Sequence, residues 1–193
     1  WASANSERAV HMENDSVKEV SFLPPEKVMI AVEKVSTAVK NASRDRHLAE
    51  TALKTISEEG GPNMQFTDPD RKGYIFTPLT KAIELNDEHL VRLLLRENAD
   101  PDSKYWMPAD EPGAFYKSPG AVYAVKHNNS NMLKLLLKHR ANLQGHVCDF
   151  VRDSKDESGP TLLWRACEFG KIHAVKFLLD ECPGDLEEKV YDC

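Results

Sequence analysis

The chain has 193 residues, of which 29% are charged and 41% hydrophobic, and its formal net charge is −6 at pH 7. This acidic balance argues against a polyanion-binding surface as its main role, and no window approaches the roughly 18 apolar residues of a membrane-spanning helix. The composition therefore predicts a soluble globular protein that binds no nucleic acid and does not insert directly into a membrane.

The cysteine usage is typical of a reduced, intracellular protein. The four cysteines lie late in the chain and form no C-x-x-C pair, at positions Cys148, Cys167, Cys182 and Cys193. A chain of this length with so few cysteines does not depend on a disulfide framework. We therefore expect a cytoplasmic location.

Three regions are predicted from the N-terminus onward. Residues 1–11 are mostly small or polar and precede Met12, so we interpret them as a tail introduced by cloning or as a disordered stretch; a natural extension is the alternative. Residues 12–66 are predicted to form a helical N-terminal cap, which resembles a degenerate repeat. Residues 67–193 are predicted to form an array of repeated helical units.

Two helices are expected in the cap. Apolar residues recur at helical spacing from Val28 to Ala42, behind a pair of prolines, and this predicts a long amphipathic helix. Ser43 is expected to cap a second helix. That helix is expected to stop at Gly60, because a second glycine and a proline follow directly.

Four helical segments repeat one pattern at a fixed interval. They begin at His47, His89, Asn131 and His173, each 42 residues after the one before. The next positions, at spacing i, i+1, i+4 and i+5, are apolar in all four segments, which marks one buried face of a helix. Such self-similar units bury their core by stacking and leave an extended surface for partners.

Two further sets of residues follow the same interval. Small residues stand in the preceding helices, at Ala82, Ala124 and Ala166. Residues that accept the left-handed backbone conformation follow them, at Asn86, Asn128 and Gly170. Before the first of these helices, Thr77 is predicted to cap the N-terminus and Pro78 to occupy the first helical position.

This pattern resembles the ankyrin repeat family. Thr77-Pro78-Leu79, Ala82 and Asn86 match the start of a repeat, and the last unit matches similarly from Thr161 to Leu179. The middle unit is weaker at its start, where Pro119-Gly120-Ala121 stands. The units are predicted at residues 74–103, 116–145 and 156–186.

The resemblance implies an all-α, ankyrin-type solenoid of stacked helix–turn–helix repeats, with extended finger loops and a helical N-terminal cap. Ankyrin units are about 33 residues long, so an interval of 42 leaves extra residues between them. These are expected in fingers at 102–117 and 144–158. Long connections in compact folds are usually functional or disordered.

The first finger is dense in aromatic residues, which are enriched in binding hot spots. We predict partner contacts for four of them: Tyr105, Trp106, Phe115 and Tyr116. The alternative is that these rings fold back and give the finger a small core of its own.

The resemblance also implies a binding role for the inner surface, through residues before each Thr-Pro position and late in each first helix. The matching positions are Phe76, Glu84, Leu85, Ser118, Lys126, His127, Pro160, Glu168 and Phe169. Cys167 takes the place of a buried alanine, so it is expected to be an inert core thiol.

No metal or catalytic site is predicted. His146 and Cys148 in the second finger match no standard zinc spacing. The loop that begins at Asp68 is similar to a calcium loop, but Leu79 stands where a bidentate glutamate is required. The sequence contains no G-x-S-x-G, phosphate-cradling loop or H-E-x-x-H motif, so we predict no enzyme activity and no cofactor.

The favoured function is an adaptor or scaffold that recognises another protein or peptide through its concave face and long fingers. The alternative is a cytosolic regulatory segment of a larger protein, such as an enzyme, a host-directed effector or an ion channel. The aromatic fingers are similar to those of vanilloid-type transient receptor potential channels. In either case, recognition is expected on a rigid, preorganised surface.

Overall fold

The computed structural model describes residues 25–68, 70–109, 115–144, 149–151 and 160–182. Within them, eight α-helices form four successive pairs. The helices are α1 (Pro25–Arg44), α2 (Ala49–Glu59), α3 (Pro78–Glu84), α4 (Glu88–Arg96), α5 (Ala121–Lys126), α6 (Ser130–Lys138), α7 (Leu162–Glu168) and α8 (Ile172–Glu181), with a 3-10 turn at Arg46–Leu48 before α2.

The pairs stack in chain order. The first helices form one layer, in which α3 packs on α1, α5 on α3 and α7 on α5. The second helices lie behind them, with contacts of α2 to α4 and of α6 to α8. The small residues predicted in the layer of first helices are fully buried; they are Ala82, Ala124 and Ala166.

The predicted N-terminus of α3 and the predicted C-terminal ends of α3, α5 and α7 are confirmed. The Thr77 side chain accepts a hydrogen bond from the backbone N–H of Thr80, and the Thr80 side chain accepts from the backbone N–H of Thr77, so the two residues form a capping box at α3. Left-handed backbone follows α3, α5 and α7, with φ of 58° at Asn86, 54° at Asn128 and 63° at Gly170.

One helix N-terminus is capped from the neighbouring unit. Lys171 precedes α8 and its side chain makes no capping hydrogen bond. Instead, Asn128 Oδ1 of the preceding unit accepts from the backbone N–H groups of His173 and Ala174, at 3.1 and 3.2 Å. These contacts satisfy two otherwise orphaned donors and fix the stacking register.

Five short strands form one antiparallel sheet along the edge of the stack. They are β1 (Phe66–Thr67), β2 (Ile75–Phe76), β3 (Lys104–Pro108), β4 (Phe115–Pro119) and β5 (Asp149–Val151). The strand order is β1-β2-β3-β4-β5. The register pairs Ile75 with Trp106, Tyr105 with Ser118 and Tyr116 with Phe150.

The strictly all-α prediction is therefore wrong. The described residues of the predicted fingers are extended rather than irregular, since they contribute to β3, β4 and β5. Stacking brings successive fingers side by side, and their backbone donors and acceptors are then satisfied by pairing with one another. The helical stack itself agrees with an ankyrin-type solenoid.

Two local predictions also fail. Ser43 does not cap α2: it lies within α1, and its hydroxyl donates to the Val39 carbonyl oxygen at 3.1 Å. Cys167 is exposed rather than buried. The equivalent residues of the preceding units, Ile83 and Val125, are buried, whereas no described helix packs on the outer side of the fourth pair. The division of the chain at residues 12 and 67 stays a prediction.

Candidate functional site

Three buried aromatic rings form one column between the sheet and the first helices of the stack. The rings of Phe76 in β2 and Tyr105 in β3 are stacked, with centroids 5.8 Å apart and planes inclined by 10°. The centroid of Tyr105 lies 4.5 Å from that of Tyr123 in α5. All three side chains are buried. Because aromatic pairs add about 0.5–1.5 kcal/mol beyond the burial of their area, this column fastens the sheet to the first helices.

Four charged side chains form a compact cluster beside the column. Lys81 Nζ lies 2.7 Å from Asp68 Oδ2 and 2.7 Å from Glu84 Oε2. Arg71 Nη2 donates to the same two carboxylates, at 2.8 Å in each case. The side chains of Asp68 and Lys81 are only 1% and 5% exposed. Buried charges persist when they are paired, and here two cations meet two carboxylates.

The cations of this cluster also contact aromatic rings. Arg71 Cζ lies 4.7 Å from the ring centroid of Tyr74 and 5.0 Å from that of Phe76. Lys81 Nζ lies 4.7 Å from the ring centroid of Phe76. Cation–π attraction is strongest where water is excluded. The loop that carries Arg71 is thus held against α3 by charge and by ring contacts together.

Burial and ion pairing act in opposite directions on the pKa values of this cluster. Burial raises the pKa of Asp68, but hydrogen bonds from Lys81 and Arg71 outweigh it and lower the pKa from 3.8 to about 2. The pKa of Glu84 is lowered in the same way, against its burial, by Arg71 and Lys81. Burial opposes the charge of Arg71, yet hydrogen bonds to Glu84 and Asp68 raise its pKa. Both carboxylates and the guanidinium stay charged at neutral pH.

Tyr123 connects the column to the exposed surface. Burial raises the pKa of its phenol, and the neighbouring Tyr105 and Glu84 raise it further, so the hydroxyl keeps its proton. Lys126 Nζ lies 5.0 Å from the ring centroid of Tyr123 and 5.8 Å from that of Phe169. One cation therefore bridges the aromatic rings of the third and fourth helix pairs.

The exposed layer above the column comes from the ends of α3, α5 and α7. Phe169 is half-buried against the core, whereas Leu85 is exposed. The His127 imidazole donates from Nε2 to the backbone carbonyl oxygen of Glu84 at 2.7 Å, so neighbouring units touch here. We call this surface the inner face; its members are Leu85, Lys126, His127, Glu168 and Phe169.

The finger formed by β3 and β4 carries the other predicted contacts. The side chains of Trp106 and Tyr116 are partly exposed. Lys117 Nζ lies 5.0 Å from the Trp106 ring centroid, and both residues line a cleft of about 450 Å³ together with polar side chains such as Asp100. Phe115 pairs with Val151 through the backbone. The finger therefore places an aromatic surface next to charged groups.

Two of the predicted contact residues are not on the surface. Phe76 and Tyr105 are both fully buried, so the expectation that their rings face a partner is wrong. The Tyr105 ring packs against Phe76 and Tyr123, which lie outside the finger, so it joins the core of the stack rather than a small core of the finger itself. Glu84 is also engaged internally, by Arg71 and Lys81. These three residues support the inner face from below.

Three residues of this region were not predicted from the sequence: Arg71, Lys81 and Tyr123. The only local signal was a pair of i, i+3 spacings, from Asp68 to Arg71 and from Lys81 to Glu84. Spacing alone does not show that a loop residue reaches a helix, and Arg71 bonds to a carboxylate 13 positions away. Only the fold brings these groups together.

The described part of the chain contains no group of three or more His, Cys, Asp and Glu side chains that could hold a metal ion. None of its helices has the length and apolar character that crossing a bilayer requires. His146 and Cys148, considered above as metal ligands, lie outside the described residues.

Two models of one protein family match the chain. The model described as ankyrin repeats in three copies matches residues 115–190, and the model described as an ankyrin repeat matches residues 75–105. Together these matches include every helix from α3 to α8 and more than half of the chain. No match was found among curated proteins.

Proposed function

This chain belongs to the ankyrin repeat family, whose repeats are generally protein–protein interaction modules, and we propose that it binds another protein or a peptide through the inner face and the adjoining finger. In this proposal the chain acts as a non-catalytic adaptor or scaffold in the cytoplasm. The partner is held by surface complementarity, and no cofactor takes part.

The observation that carries the proposal is the continuity of the inner face across three helix pairs. His127 of the third pair donates to the carbonyl oxygen of Glu84 in the second, and Lys126 lies over the ring of Phe169 in the fourth. Side chains that are 42 positions apart in sequence thus form one surface. A surface of this extent suits a macromolecular partner better than a small ligand.

The chemistry of the surface also favours a protein partner. Leu85 and Phe169 offer apolar contact area, and Lys126 and Glu168 beside them offer charges of both signs. Interfaces commonly combine an apolar centre with a polar rim, and their central aromatic residues dominate the binding free energy. We therefore expect Phe169 to be an anchor and the charged residues to orient the partner.

The buried layer makes this surface rigid. The ring column and the charge cluster below it fix the backbone of α3 and α5 before any partner arrives. Little conformational freedom is then lost when a partner binds, so more of the contact free energy appears as affinity. Glu84 and Tyr105 contribute in this indirect way rather than by contact.

Site-specific photocrosslinking tests the proposal. A benzophenone amino acid replaces Lys126 on the inner face or, as a matched control, Lys134 on α6; both lysines are exposed and belong to the same helix pair. In an extract of the source cells, we expect a defined crosslinked protein from position 126 only. Adding Leu85→Ser and Phe169→Ser should remove it. Equal crosslinking from both positions, or no effect of these substitutions, would contradict the proposal.

A further inference from the structure

Asn128 joins the third helix pair to the fourth at the start of α8. Its Oδ1 accepts hydrogen bonds from the backbone N–H groups of His173 and Ala174, at 3.1 and 3.2 Å. Its Nδ2 lies 2.8 Å from Nδ1 of the His173 imidazole. We call these three contacts the Asn128 junction. They place one side-chain amide between two backbone donors and one ring nitrogen.

The amide of Asn128 can take only one orientation in this junction. A backbone N–H donates in every state, so the amide atom that faces the two N–H groups is the oxygen. The other atom is then the NH2 group, which donates and does not accept. Turning the amide over would place its N–H groups against two other donors, and both hydrogen bonds to the α8 backbone would be lost.

The orientation of the amide determines the protonation state of the His173 ring. Because the Asn128 amide donates, Nδ1 of His173 must accept, and a ring nitrogen accepts only when it carries no proton. The proton of the neutral imidazole therefore lies on Nε2. A second proton, on Nδ1, would bring two donors to within 2.8 Å of each other. The charged imidazole therefore cannot make this hydrogen bond.

His127 behaves differently at the contact between the second and third helix pairs. Its Nε2 donates to the backbone carbonyl oxygen of Glu84 at 2.7 Å. A charged imidazole keeps both of its N–H donors, so this hydrogen bond is made in either state. Of these two histidines, only His173 loses its hydrogen bond when it gains a proton.

The charged groups around His173 do not replace the lost hydrogen bond. α8 packs on α6 and α7, and α5 packs on α7. The cationic side chains on or next to these helices are Lys126, Lys134, Lys138, Arg165, Lys171 and Lys176. The carboxylates there are Glu168, Asp180 and Glu181.

These carboxylates are engaged elsewhere or distant along the chain. Glu168 is paired with Arg165 at 2.7 Å, and the other two lie about two turns further along α8. The imidazole of His139 lies at the far end of α6. Within the described chain no carboxylate forms an ion pair with His173. A charged His173 therefore gains no ion pair in return for the hydrogen bond that it loses.

We propose that the Asn128 junction is a pH-sensitive contact between the third and fourth helix pairs, complete while His173 is neutral and weakened when its imidazole gains a second proton. Histidine ordinarily changes its charge between about pH 5 and pH 8. The His173 side chain is exposed, so protons reach it without unfolding. Acidification thus loosens the fourth pair, while the packing of α8 on α6 and of α7 on α5 keeps it in the stack. The proposal does not depend on what binds the inner face.

NMR titration of the imidazole nitrogens tests the junction. At pH 7.5 we expect the ¹⁵N shifts of His173 to show a proton on Nε2 and none on Nδ1. Asn128→Gly keeps the left-handed backbone, where φ is 54°, but removes the side-chain donor. The titration midpoint of His173 should then rise by about half a pH unit. Asn128→Asp puts a carboxylate oxygen in place of the NH2 group, so the midpoint should rise further, by about one unit.

His47 is the matched control for these variants. It has the same register position in the first unit, its side chain is exposed, and it lies in the turn before α2. Because distant charges are screened by salt, its titration midpoint should change by less than about 0.1 pH unit.

Urea denaturation measures the effect on stability. His173→Gln can still accept from the Asn128 amide but has no proton to gain. Between pH 7.5 and pH 5.5, the folding equilibrium constant of the wild type should fall about threefold more than that of His173→Gln, because the hydrogen bond is present at the higher pH and lost at the lower. His47→Gln should keep the pH dependence of the wild type.

Circular dichroism at each pH checks that every variant is folded. The proposal is overturned if Nδ1 of His173 carries the proton at pH 7.5, or if Asn128→Gly leaves the titration midpoint of His173 unchanged. It is also overturned if His173→Gln and the wild type show the same pH dependence of stability.

Discussion

Lys81 Nζ lies 2.7 Å from Asp68 Oδ2, at a place where both side chains are almost completely withdrawn from water. Removing one partner of a buried ion pair leaves the other charge desolvated and incompletely paired. We therefore expect Lys81→Met to lower the free energy of unfolding by about 3 kcal/mol, measured by urea denaturation at neutral pH.

An exposed ion pair provides the control for this substitution. Lys54 and Glu58 lie 3.9 Å apart on α2, with side chains 78% and 62% exposed. Because such pairs contribute roughly 0–1 kcal/mol, Lys54→Met should change the free energy of unfolding by less than about 1 kcal/mol. Equal effects of the two substitutions would show that the cluster does not stabilise the fold.

The cluster also predicts an acid dependence of stability. A carboxyl whose pKa is lower in the folded than in the unfolded chain stabilises the fold above its unfolded pKa, and this contribution is lost as the pH falls through the folded pKa. For Asp68 those values are 3.8 and about 2. We expect the wild type to lose about 2 kcal/mol between pH 4 and pH 2 from this group. Urea denaturation at stepped pH should show a smaller loss for Asp68→Asn, whereas identical pH profiles would contradict the assignment.

The hydrogen bonds that Asn128 accepts from the N-terminus of α8 predict the effect of one substitution. Asn128→Gly keeps the left-handed backbone, where φ is 54°, but removes the acceptor used by His173 and Ala174. Loss of an N-cap costs about 1 kcal/mol, and thermal denaturation should detect it. Asn98→Gly is the control, since Asn98 has a similar φ of 62° and its side chain caps no helix in the described chain. A larger effect at Asn98 would contradict this role.

The repeat register predicts which residues Gly170 tolerates. Its φ of 63° matches those of Asn86 and Asn128, and a Cβ there would meet no atom within 4 Å. Gly170→Asn should therefore change the free energy of unfolding by less than about 0.5 kcal/mol. Gly170→Val should cost at least 1–2 kcal/mol, because a β-branched residue is strained in this conformation. Similar stabilities for both variants would argue against the register.

These helix ends are the part of the fold that the sequence predicts best, for a local reason. Thr77 and Asn86 act on backbone groups within a few positions of themselves, so their residue types suffice to mark the boundaries of α3. The 42-residue interval then carries the same assignment to Asn128 and Gly170.

The strands of the sheet cannot be predicted from the sequence in the same way. Its strands are two to five residues long, and their partners are distant in sequence, as in the pairing of Ile75 with Trp106. Residues in so short a strand show too little alternation to mark an exposed and a buried face. The pairing follows from the stacking of the units.

The candidate site was predicted only in part, because the position of a residue in the sequence does not show how deeply its side chain is buried. Leu85 and Lys126 lie on the surface as their places late in α3 and α5 suggest, whereas Tyr105 lies under Tyr123 of the next unit. Cys167 shows the reverse error. Its equivalents Ile83 and Val125 are buried, whereas no described helix packs against the outer side of the fourth pair.

The central claim is that successive helix pairs stack so closely that one aromatic column passes between them. Nuclear Overhauser effects in a chain with selectively labelled Tyr and Phe rings test it most directly. We predict cross-peaks between Tyr105 and Tyr123, whose centroids are 4.5 Å apart, and between Phe76 and Tyr105, at 5.8 Å. Their absence in a folded, well-dispersed spectrum would contradict the account.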